Sequence, residues 1–64
     1  MQPNDNRTRY LTVGEVAAQL RVSNMTVYRL VQNGRLPALR VGRSYRLRDV
    51  DVDRYLAEQY TEAG

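Results

Sequence analysis

Residues 22–34, Val22-Ser23-Asn24-Met25-Thr26-Val27-Tyr28-Arg29-Leu30-Val31-Gln32-Asn33-Gly34, read as one short helix with two unlike faces. Ser23 stands just ahead of the apolar repeat and three residues before Thr26, the spacing at which a hydroxyl caps a helix beginning at Asn24. Asn33-Gly34 ends it, because glycine accepts the left-handed conformation that closes a helix. Over 24–33, Val27, Leu30 and Val31 fall on one side, Met25, Arg29 and Gln32 lie roughly opposite, and Asn24, Thr26 and Tyr28 sit on the flanks. The first side packs; the second is free to meet a partner.

Working toward the N-terminus, Val22-Ser23 is a tight turn, and before it Val13, Val16, Ala17 and Leu20 recur at three- and four-residue spacing. Thr12 and Glu15 form a T-x-x-E capping box, which predicts a helix over 13–21. Residues 1–9, polar throughout, read as a flexible arm. Toward the C-terminus the period changes to alternation after Leu36-Pro37: Leu39, Val41, Tyr45 and Leu47 are apolar, interrupted by Arg40 and Arg46. This predicts strands at 39–41 and 45–47 about a Gly42-Arg43-Ser44 turn, with Arg40 and Arg46 on the same side of the ribbon. A last helix over 49–59 starts at Asp49, whose carboxylate suits the positive end of the helix dipole, and has Val52, Tyr55 and Leu56 as its inner stripe. Residues 61–64 read as a frayed tail. The expected fold is mainly α with a small β-hairpin wing, a winged helix-turn-helix domain over 10–60.

A chain of 64 residues supports one domain, and at this size only about 60% of the unfolded surface is buried, which argues against a deep substrate pocket. There is no Cys and no His, so thiolate metal sites, disulfides and the commonest general base are all missing. No apolar run approaches the roughly 20 residues of a membrane span, and the N-terminus carries no hydrophobic signal core. A cytoplasmic protein without enzymatic activity, metal or cofactor is expected. Its charge is unevenly placed. Residues 16–48 contain seven arginines and no carboxylate, whereas from Asp49 onward five acidic residues face Arg54 alone. A polyanion is the favoured partner of the middle segment.

The B-DNA major groove, about 12 Å wide, admits a helix whose first residues meet base edges while its leading N–H groups face phosphate. Ser23, Asn24, Met25, Thr26, Tyr28 and Arg29 occupy that position. Arg29 is the candidate base or phosphate ligand, since a guanidinium binds guanine O6 and N7 bidentately; a solvated surface arginine is the competing reading. Tyr28 either contacts sugar, phosphate or a thymine methyl, or closes the edge of the core; Tyr45 and Tyr55 are assigned to the core. In the hairpin, Gly42-Arg43-Ser44 offers Arg43 to an adjacent minor groove, where arginine is electrostatically favoured. Arg40 and Arg46 either flank it on phosphates or pair with Asp49, Asp51 or Asp53.

The blocks Leu11–Ala17, Val22–Val31, Gly34–Ala38, Arg40–Arg46 and Asp51–Leu56 resemble the excisionase-type helix-turn-helix family, related to the MerR-like superfamily. That resemblance implies a winged helix-turn-helix with recognition helix and wing both on duplex DNA. It further implies one of two roles: an excisionase that binds tandem sites, bends DNA and directs a site-specific integrase to excise, or a small transcriptional regulator without the dimerisation helix and effector domain of larger relatives. Head-to-tail contact between the basic middle and the acidic tail of neighbouring copies would supply cooperativity. An interaction module for an acidic protein is the alternative from another class, and single-stranded RNA binding is weaker because no aromatic platform on a sheet is legible.

Overall fold

The computed structural model describes residues 8–60. Six elements follow one another: β1 (Tyr10–Thr12), α1 (Val13–Leu20), α2 (Asn24–Gln32), β2 (Leu39–Val41), β3 (Ser44–Arg48) and α3 (Asp49–Gln59). The architecture is the expected one, three helices with a small antiparallel sheet. The residues expected to form the frayed tail, and all of the arm but Thr8 and Arg9, lie outside the described residues.

Both helices of the helix-turn-helix start on the hydroxyls read from the sequence. Glu15 N donates to Thr12 Oγ1 at 3.1 Å while Thr12 N donates to Glu15 Oε1 at 2.9 Å, so each residue satisfies a backbone donor of the other. In α2, Thr26 N donates to Ser23 Oγ at 3.2 Å. Each helix ends one residue sooner than its apolar period suggests. Arg21 is left-handed, at φ 60° and ψ 44°, and the turn closes through Val22 N to Ala17 O at 3.0 Å and Arg21 N to Ala18 O at 3.3 Å. These are the paired bonds of a Schellman motif, made here without glycine. Asn33 caps α2, and the left-handed residue beyond it is Gly34, at φ 79°.

The sheet corrects the sequence reading in three ways. Tyr10–Thr12 is a strand, giving a three-stranded antiparallel sheet in the order β1-β3-β2 in place of a lone hairpin. Arg9, expected in the arm, belongs to the domain: Asp49 N donates to its carbonyl at 2.9 Å, and its own N–H donates to Asp49 Oδ1 at 3.2 Å. Finally, the wing turn has two residues, Gly42-Arg43, because Ser44 already pairs with Val41 and begins β3. Gly42 has φ 62°, and a positive φ confined to the first central residue is the two-residue hairpin turn that demands glycine there. The shorter loop moves the register by one. Arg40 then opposes Tyr45 and Leu39 opposes Arg46, so Arg40 and Arg46 lie on opposite faces of the sheet.

The inner face carries Leu11 and Leu47, paired across β1 and β3, and α1 and α3 rest on the central strand while α2 packs on α1. Leu11, Val13, Val16, Ala17, Val27, Leu36, Leu47 and Val52 form the core, with Leu20, Leu30, Val31, Tyr45 and Tyr55 packed around it. In α3 the inner stripe is Asp51, Val52 and Tyr55; Leu56, expected inside, is exposed. A carboxylate takes part of that stripe because it is paired. Arg48 Nε and Nη2 donate to Asp51 Oδ2 and Oδ1 at 2.8 and 3.0 Å, and the hydrogen bonds to Asp51, followed by its charge, hold the guanidinium above the usual arginine range. The two partners are unequally placed, Arg48 half in solvent and Asp51 almost wholly covered. Removing the arginine strands a buried charge, whereas removing the carboxylate leaves an arginine that reaches water. Arg48→Gln is therefore expected to melt at a lower temperature than Asp51→Asn, with the double variant recovering part of the loss. Equal melting points for the two single variants in circular-dichroism melts would show that the pair carries no such asymmetry.

Among the described residues no helix is long and apolar enough to cross a membrane, and no group of three or more acidic, His or Cys side chains is placed to hold a metal ion.

Candidate nucleic-acid interface

The outward face of α2 is what its sequence period predicts. Val27 is fully buried and Leu30 and Val31 are half-buried, while Met25, Arg29 and Gln32 point away from the core and are exposed. Ser23 and Thr26 are committed to the cap, their hydroxyls 3.1 Å apart, so their first task is to fix where the helix begins. The first turn of α2 carries no acidic residue, so its leading N–H groups and dipole face outward without a competing carboxylate.

Beside this helix lies a cleft of about 300 Å³ lined by Thr12, Val13, Gly14, Asn24, Tyr28, Ser44, Tyr45 and Arg46. Four of the residues singled out from the sequence therefore meet there: Asn24 and Tyr28 from α2, Ser44 and Arg46 from β3. Thr12 and Gly14 complete the lining from the start of α1, and nothing in their sequence context marked them beyond the capping box.

Tyr45 packs against the core, as assigned from the sequence, and also joins the helix to the wing, a role the sequence did not reveal. It is half-buried, its ring centroid 6.1 Å from that of Tyr28 at 57°, and the Arg40 guanidinium lies 5.9 Å from the same ring. Tyr28 stands at the edge of the core through this ring contact, and its exposed part lines the cleft. Arg40 is further tied by Nε donating to Gly42 O at 3.3 Å, which braces the wing turn from within. The row Tyr28–Tyr45–Arg40 fixes the wing relative to α2. The alternation of apolar residues with arginines in 39–47 held no sign of this, because the contact depends on the register set by the two-residue turn.

Among the described residues neither Arg40 nor Arg46 pairs with an aspartate; that place is taken by Arg48. Arg46 Nη1 donates to Tyr45 O at 3.3 Å, and with five donors on a guanidinium most of its capacity is left for the cleft. Arg35 sits over Tyr55 at 5.8 Å and holds α3. Arg29 and Arg43 are exposed, and among the described residues neither makes an ion pair. Arg43 occupies the second position of the wing turn, at the tip.

A capped helix pair, a three-residue turn and a braced wing now stand together, and residues 10–60 match the helix-turn-helix domain family over that whole span. The chain belongs to this family. Two Mycobacterium tuberculosis proteins, from strains CDC 1551 and H37Rv and both provisionally named DNA-binding proteins, are each 59% identical to this helix-turn-helix domain over 58 residues, covering 91% of the chain and 74% of each relative. An uncharacterized protein of Bacillus subtilis strain 168, YvgK, is 48% identical over 50 residues, 78% of the chain but 16% of that protein. No solved structure matches the domain.

Proposed function

We propose that this helix-turn-helix domain binds duplex DNA, laying α2 in the major groove and the Gly42-Arg43 tip of the wing along the neighbouring minor groove. One observation carries the reading: the outward face of α2 and the wing form a single braced surface, drawn from a segment, residues 16–48, that holds no carboxylate. On it Arg29 and Met25 address base edges. Asn24, Ser44 and Arg46 line the cleft where backbone phosphate would lie, and Arg43 enters the minor groove. Ser23 and Thr26 act by placing the helix start, and Tyr28 and Arg40 by holding the wing. The family relation and the names of the mycobacterial relatives support the same partner.

The finer role we propose is that of an excisionase-type directionality factor that occupies tandem sites, bends DNA and favours integrase-mediated excision. A promoter-bound regulator would use the same contacts, and an integrase-dependent excision assay separates the two. Head-to-tail packing of neighbouring copies has to draw on Asp53 and Glu58, which are exposed on α3. Asp51 drops out of that acidic surface because it is covered and already paired with Arg48.

Fluorescence-anisotropy titration of a labelled duplex at several salt concentrations tests DNA binding directly. With five or six phosphates contacted, log K against log salt is expected to fall with a slope of roughly −4 to −6, and Arg43→Ala to make it shallower by about 1. Absence of salt-dependent binding at low ionic strength would give first place to an acidic protein partner.

A further inference from the structure

Met25 has no explanation within the fold. It sits in the first turn of α2 on the outward face, 61% exposed, one helical turn before Arg29 and beside Asn24, while the packing positions of the helix are filled by Val27, Leu30 and Val31. An unbranched apolar side chain held in water at that place gains nothing from this chain. The other exposed residues of α2 are polar or amphipathic: Asn24, Tyr28, Arg29 and Gln32. Met25 is therefore the one purely apolar group on the outward face of α2.

In the major groove, hydrogen-bonding edges are matched by Asn, Gln and Arg, but one feature of a base pair is apolar, the C5-methyl group of thymine. A flexible, polarizable thioether chain conforms well to such a group. Resting on the DNA-binding reading above, we infer that Met25 is a specificity residue that packs on a thymine methyl within the recognised site, beside the base or phosphate taken by Arg29. The preference is for the methyl itself and not for the A·T pair, because Met25 offers no donor to either base.

Replacing thymine by deoxyuridine removes that methyl and leaves every hydrogen-bonding atom in place, so the contact can be tested in isolation. The full chain is used to select a duplex from a randomised library. The selected duplex is then rebuilt with each thymine changed in turn to deoxyuridine, and the wild type, Met25→Ala and Met25→Leu are titrated against the set. One deoxyuridine is expected to weaken wild-type binding about fourfold, the worth of one buried methyl-sized group. Met25→Ala binds the thymine and deoxyuridine duplexes alike, and Met25→Leu, still apolar, keeps most of the preference. The inference is overturned if no deoxyuridine weakens the wild type, or if the same replacement weakens Met25→Ala equally, which would assign the methyl to another residue. A library that yields no enriched duplex, with binding indifferent to salt, fails earlier: it removes the DNA-binding reading and the methyl contact with it.

Discussion

Leu47→Ala is expected to destabilise the domain by about 3 kcal/mol, within the usual range for a leucine truncated in a packed core. Leu47 is fully buried on β3, the central strand, directly opposite Leu11, and both α1 and α3 rest on that strand. The site has little freedom to collapse, since it is bounded by a strand on one side and helices on the other. A domain this small loses about 4–8 °C of melting temperature per kcal/mol, so the midpoint should fall by roughly 12–24 °C. Leu39→Ala is the control. It truncates the same residue type in the same hairpin, but Leu39 is 57% exposed on the outer face, so its effect should stay within about 0.5 kcal/mol. Circular-dichroism melts of the two variants, run side by side, would refute this account of the core if they fell by equal amounts.

Helices were the legible part of this sequence because each is long enough to show its period and begins at a marked residue. Thr12 and Ser23 cap α1 and α2, and Asp49 opens α3 with a carboxylate in its first turn. β1 was not legible, since three residues hold barely one alternation and their partner strand lies near the other end of the domain. Its one signal was Leu11, a buried residue between two polar-tipped neighbours, and alone that is equally the lead-in to a helix. The wing was found, but its faces were not. Taking Ser44 into the turn places Arg40 opposite Arg46, whereas a two-residue turn places Arg40 opposite Tyr45, and a strand moved by one residue exchanges its faces throughout. Of the candidate interface, the outward side of α2 followed from its period, while the contribution of Tyr45 and the opening of α1 depended on contacts between elements. The salt bridge weighed for Arg40 and Arg46 is made by an arginine not considered for it, Arg48, placed by its position at the N-terminal cap of α3, three residues from Asp51.

Arg29→Ala is expected to lower affinity for the selected duplex about 10- to 100-fold, and to relax discrimination at one or two base positions while leaving the fold intact. Arg29 is exposed on α2, and among the described residues its side chain makes no hydrogen bond or ion pair, so truncation removes nothing that holds the helix together. Alanine is the better helix former, so the melting temperature should hold or rise slightly. Binding to a scrambled duplex should weaken far less, because non-specific affinity rests on phosphate contacts. Arg43→Ala supplies the contrast, with a loss shared more evenly between selected and scrambled duplexes. If Arg29→Ala instead weakened both duplexes equally, Arg29 would be a phosphate ligand, and base reading by α2 would rest on Met25, Asn24 and Gln32.

The strand order also bears on how the chain reaches its folded form. Helix α1 and its partner α2 meet across three residues, so their contact closes a short loop, whereas Leu11 meets Leu47 only when nearly the whole domain has been drawn into one ring. Closing that ring costs chain entropy that only the completed core repays. During synthesis the first strand emerges early and waits for its neighbour, because β3 is made after both helices of the helix-turn-helix and after β2. The helical pair thus has no finished support until the last third of the domain has left the ribosome. No shorter fragment holds a complete inner face, and the recognition surface arrives together with the whole fold or not at all.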